Sequence, residues 1–184
     1  MSDKSFFWDF LEELSPFKRK YFFFVFVFLI VFVTIHIPSD TYSGITPSSR
    51  SDLLDVKHRI LFDISFVTTF IANFYLLITY YLKGVSRQLN KKLGNSIEHT
   101  IRKRGKEKNS SFNEMILFHV IYLMSFFGFF LMPPSASIKY RWMNQGNIYL
   151  DFLFLYILCL GFIILNLFLI ISREANKNGR TRES

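Results

Sequence analysis

Apolar residues in this chain gather into four blocks, and the segments between them hold most of the charge. The blocks span residues 21–37, 60–82, 113–132 and 148–171. Each is near the length of about 20 residues that lets a helix cross roughly 30 Å of hydrocarbon. A helix on the edge of a water-soluble core carries a polar stripe every three or four positions. Residues 22–33 have no such stripe, being Phe, Val, Leu and Ile throughout. A helix satisfies its own backbone hydrogen bonds, so lipid tolerates a stretch of this kind. The pattern predicts an all-α fold: an integral membrane four-helix bundle made by a single membrane domain, residues 1–184.

The intervening segments add shorter elements. Residues 5–15 read as an amphipathic helix, with Phe6, Phe7, Phe10, Leu11 and Leu14 on one side and Asp9, Glu12 and Glu13 towards the other. Ser15-Pro16 ends it, because proline disfavours a helical conformation in the residue before it. A helix of this type lies along the membrane surface, where Trp8 suits the headgroup level. The loop of residues 38–58 is rich in Ser, Thr, Pro and Asp and reads as irregular. The second block is expected to continue as one helix through Leu89 and Leu93 until Gly94 stops it. Asn95-Ser96-Ile97-Glu98 then fits a capping box that starts another short helix. Residues 105–111 look flexible. The loop of residues 133–147 opens with Pro133-Pro134, and Tyr140, Trp142 and Tyr149 stand where interfacial aromatics belong.

Charge sets the orientation. Seventeen of the twenty-two Lys and Arg fall in residues 1–20, 83–111 and 172–184, and few in the other two loops. Basic residues collect on the cytoplasmic side, so both termini and the central loop face the cytoplasm of a multi-pass inner-membrane protein, and residues 38–58 and 133–147 face the periplasm. The acidic residues before the first block and the lack of a small-residue cleavage site after Ile37 mark that block as a span, not a removable leader. The net charge of +8 follows mostly from this topology. Arg102, Lys103, Arg104 and Lys106 form a basic patch without aromatic residues to stack on bases, so membrane lipid and not nucleic acid is the expected partner. The single Cys159 lies inside the fourth block, which excludes an intrachain disulfide.

Ionisable residues inside a bilayer are costly, which makes each a functional candidate. His36, Asp63 and Asp151 fall at the outer ends of their blocks, and with Tyr140, Arg141 and Trp142 they form the expected partner-binding set. Arg59 and Asp63, four apart, share a helix face and are placed to pair. Deeper in, Ser65, Thr69 and Asn73 share one side of the second block, and Cys159 and Asn166 one side of the fourth. Small and hydroxylic residues let membrane helices approach closely, so these five are the expected helix-packing residues, with the Phe-rich first block outside. His119 reads as a packing residue. The other histidines, His36, His58 and His99, lie at other depths, so no haem or other cofactor is expected. No metal-ligand spacing, phosphate loop or nucleophile elbow is present, and the chain does not read as an enzyme.

A small helical bundle with short outer loops and a basic cytoplasmic loop acts by contact. The layout is similar to that of the immunity proteins that protect bacteria from pore-forming colicins of the A type, four-span inner-membrane proteins with both ends cytoplasmic. That resemblance lies in topology over the whole chain and implies immunity against a pore-forming bacteriocin, through contact with another membrane-inserted protein. Exclusion of phage or plasmid entry fits the same layout. The alternatives are a self-assembling effector that lines a pore as a homo-oligomer, and an accessory subunit of a larger membrane complex.

Overall fold

The computed structural model describes residues 4–38, 42–51, 54–104, 108–132 and 147–180. Tyr140, Arg141, Trp142 and Lys106 lie outside the described residues. Six helices and no strands are found among those described. They are α1 (Lys4–Leu14), α2 (Arg19–His36), α3 (Val56–Lys83), α4 (Arg87–Arg104), α5 (Lys108–Leu131) and α6 (Ile148–Arg180). Two of them, Val56–Lys83 and the segment Ile148–Lys177 of α6, are long and apolar enough to cross a membrane. The apolar stretches Tyr21–His36 and Met115–Leu131 are shorter.

Helix ends depart from the sequence pattern: α5 starts at Lys108, inside the stretch expected to be flexible, α6 runs past residue 171, and two glycines exchange roles. α3 stops at Lys83, where Gly84 takes φ +69° and returns its N–H to the Tyr80 carbonyl. That left-handed conformation suits glycine, which has no Cβ to clash. The expected continuous helix through Leu93 is therefore broken ten residues early. Gly94, expected as the stop, lies inside α4, buried beside Leu93, and the Asn95–Glu98 capping sequence is absorbed into the same helix. Tertiary packing of Leu89 and Leu93 carries the helix past the weak position.

α3 and α6 share the most extensive interface, followed by α5 with α6 and α2 with α3. The core between them is largely aromatic: Phe126 stacks on Phe162 with centroids 4.5 Å apart and packs on Phe130 at 4.9 Å, and Phe62 stacks on Phe129 at 5.4 Å. α2 buries Phe22, Phe26 and Ile30 and turns Phe24, Phe28 and Phe32 outward. α1 is not laid out as a free surface helix. Its apolar residues Phe10, Leu11 and Leu14 are fully buried against the end of the bundle, where α1 meets α2, α3, α4 and α6. The reason is that α6 runs on past residue 171 to Arg180 and, with α4, offers α1 an apolar cradle. Glu13 accepts the Ser86 N–H and hydroxyl, and Asp9 faces Lys92 at 3.6 Å, so the polar side of α1 is tied to α4 as well.

Candidate functional site

Residues 42–51 and 54–58 are short of apolar side chains, yet they form a built cap over one end of the bundle. Its organising group is Asp63, buried in α3 with 2% exposure. Asp63 Oδ2 accepts Tyr42 Oη at 2.6 Å, the Ile45 N–H at 2.6 Å and Ser49 Oγ at 2.8 Å. Oδ1 accepts the Thr46 N–H at 3.0 Å and Thr46 Oγ1 at 2.7 Å. Five donors meet a single charge, the condition under which a buried carboxylate is stable. Burial first, then the bond to Asp63 and that carboxylate's charge, push the Tyr42 phenol well above its usual range. Gly44 makes the turn possible: its φ is +88°, and a Cβ there would stand 2.9 Å from the Ser49 carbonyl carbon.

The same segment closes the ends of three helices. A helix leaves its last carbonyls without partners, and these need donors from elsewhere. Lys57 Nζ donates to the Thr34, Ile35 and Ile37 carbonyls at 3.1–3.2 Å and so caps α2. Ser48 Oγ lies 2.9 and 2.5 Å from the Phe129 and Met132 carbonyls, which share its one hydroxyl proton, and the Ser48 N–H donates to the Phe130 carbonyl at 3.3 Å, so the residue caps α5. Asp55 caps α3 at its start, accepting the His58 N–H at 2.9 Å. Burial works to raise the Asp55 carboxyl, but the His58 N–H and ring outweigh it and hold the group below the usual carboxylate range.

His58 ties in the fourth long helix. Its buried ring lies between two carboxylates, with Nδ1 2.8 Å from Asp55 Oδ2 and Nε2 2.8 Å from Asp151 Oδ2 on α6. Loop, α2, α3, α5 and α6 are thus joined at one end through polar contacts that mostly start from residues 42–63. Below the cap, Thr69 Oγ1 donates to the Ser65 carbonyl at 2.6 Å, Asn73 Nδ2 donates to the Thr69 carbonyl at 2.8 Å, and Asn166 Nδ2 donates to Asn73 Oδ1 across the α3–α6 contact. Cys159 Sγ reaches the Ser65 carbonyl at 3.7 Å. On the other face of α6, Tyr122 Oη donates to the Leu158 carbonyl at 2.7 Å and lies directly over Gly161, where a Cβ would collide with it.

The sequence-predicted residues divide as follows. Ser65, Thr69, Asn73, Cys159 and Asn166 meet in one buried seam between α3 and α6. Asp63 and Asp151 are both buried at the cap but serve different contacts, the loop and His58. Arg59 Nε donates to the Leu54 carbonyl at 3.0 Å. His36 is exposed, with Nδ1 2.8 Å from the Phe32 carbonyl of its own helix and its ring stacked on Phe32 at 4.1 Å. His119 is half-buried and stacks on Phe162 with centroids 6.1 Å apart. Arg102, Lys103 and Arg104 form the last turn of α4. Sequence reasoning missed His58, Lys57 and Ser48. The one signal for His58 was its place next to a capping Asp, which put it on the first turn of α3 one helical turn from Asp55.

No protein-family model matches this chain, and no curated protein or solved structure is significantly similar to it.

Proposed function

We propose that the chain is a four-span protein of the cytoplasmic membrane, with both termini and α4 on the cytoplasmic side, and that it acts by binding another membrane-inserted protein. The distribution of side chains supports the four spans. Outward positions are apolar on every long helix, among them Phe28 on α2, Phe74 on α3, Phe118 on α5 and Ile157 on α6, while Asp63, Asn73, Asp151 and Asn166 face inward. The two shorter apolar helices end with most of their last carbonyls held by Lys57 and Ser48, which supplies donors where water is scarce.

The observation that carries the contact reading is the preformed cap. Its carboxylates hold the helices together, and what it turns outward is a fixed surface including Ser43, Ile45, Pro47 and Arg50. A surface ordered in advance loses little conformational freedom on binding. This favours recognition over chemistry, and within recognition the reading is immunity against a pore-forming bacteriocin, with exclusion of phage or plasmid entry using the same contact. A toxin hairpin arriving from the cap side would meet the cap and the exposed helix faces and be held in a non-conducting state. The test is membrane potential, followed with a voltage-sensitive dye in cells with and without the chain, challenged with a panel of pore formers and phages. Potential kept against at least one agent, and lost again with Ile45→Asp, is the expected result. A chain that protects against none, or that lowers the potential by itself, refutes this reading.

A further inference from the structure

The end of the bundle opposite the cap carries a cation built on aromatic rings. Arg173 of α6 donates from Nη1 to Tyr81 Oη at 2.5 Å, and its guanidinium carbon lies 5.1 Å from the Tyr81 ring centroid and 5.8 Å from that of Tyr80. Contact with an aromatic face and a hydroxyl orients the fork of this half-buried residue, and the bond to Tyr81 uses one of its five N–H donors. The acid on the same turn does not compete. Glu174 is buried, accepting Tyr80 Oη at 2.5 Å and pairing with Lys177 at 2.6 Å. On α1, Glu13 is held by Ser86 and Asp9 faces Lys92. Beside Arg173's ring support, Leu82 is 81% exposed and Tyr81 65% exposed, and Lys83 and Arg87 follow on the outside of the chain. Exposed apolar groups thus adjoin cations whose neighbouring acids are already engaged.

We infer that this end of the α3–α6 pair binds the phosphodiester of an anionic membrane lipid. The headgroup phosphate sits on Arg173, with Lys83 and Arg87 supplying further positive charge, and the acyl chain lies along Leu82 and the outer face of α3. The inference rests on the membrane reading above. It differs from the general attraction of a basic segment to an anionic leaflet in that Arg173 is oriented by Tyr81 before any lipid arrives.

The experiment uses the full chain purified in detergent and titrated with phosphatidylglycerol, phosphatidylcholine or inorganic phosphate, read by thermal unfolding and by lipid retention in native mass spectrometry. Phosphatidylglycerol is expected to be retained and to raise the unfolding temperature, while the other two have no comparable effect. Arg173→Gln is expected to weaken retention about fivefold, the worth of one basic group at an anionic surface, and Arg50→Gln, at the opposite end, to leave it unchanged. Should Arg173→Gln not fold, the double substitution Lys83→Gln with Arg87→Gln makes the same test from the exposed side. Equal retention of the two lipids, or retention indifferent to these substitutions, overturns the inference, and so does inorganic phosphate matching phosphatidylglycerol. A chain that fails to insert into vesicles at all instead counts against the membrane reading, so the two failures are told apart.

Discussion

Replacing Asp63 with Ala removes the acceptor of five hydrogen bonds at once. Each bond to a charged group contributes about 1.5–3 kcal/mol, but they do not add. The Tyr42 and Ser49 hydroxyls rotate towards other acceptors, whereas the Ile45 and Thr46 N–H groups are fixed by the backbone. Stranding those two neutral donors beside a vacated site is expected to cost about 2–6 kcal/mol, at about 1–3 kcal/mol for each buried donor left without a partner. Asp63→Asn is the sharper test. Oδ1 faces the Thr46 N–H and Oδ2 faces the Ile45 N–H, so either orientation of the amide points an N–H at a backbone N–H. The near-isosteric change should therefore do almost as much damage as Ala. Both variants should unfold at lower denaturant in detergent micelles and become open to trypsin at Arg50, with helix content kept. An Asn variant within about 1 kcal/mol of the parent, still resistant at Arg50, would refute the account of the cap.

Gly161→Ala places a methyl against Tyr122 and should cost about 1–3 kcal/mol, the range for overpacking; Tyr122→Ala in the same chain should cancel part of that loss, which a double-mutant cycle of thermal unfolding measures. The Tyr42 phenol is raised above its ordinary value near 10 by burial and by Asp63, so its contribution is fully present below about pH 10 and lost as pH rises towards the folded-state value. Melting temperature should therefore fall between pH 10 and 12 in the parent, and Tyr42→Phe should flatten this decline.

Much of the α-helical layout was legible because apolar blocks of helical length leave little choice of secondary structure. The seam was legible for a related reason: Ser65, Thr69 and Asn73 recur every four residues, and that spacing alone puts them on one face. The ends were harder. Gly94 and Gly84 are chemically identical, and only the packing of Leu89 and Leu93 decides which of them turns the chain and which is carried inside a helix. The amphipathic pattern of residues 5–15 was equally clear, but a pattern says that an apolar face will be covered, not by what. Here the cover is the far end of α6 together with α4.

What the order of residues determined by itself is the number and rough extent of the apolar helices and the side of each that carries small and polar groups, since both follow from periodicities within about 20 neighbouring positions. What only the tertiary structure decided is the use of the charged groups near the cap. Asp63 reaches Thr46 and His58 reaches Asp151 across 17 and 93 positions of chain, and the sequence marks the two carboxylates only by their place at the ends of apolar blocks, with nothing to name their partners. Their roles arise when folding takes them out of water, because a buried charge must find fixed donors, and the donors nearest in space belong to a loop and to a helix far along the chain.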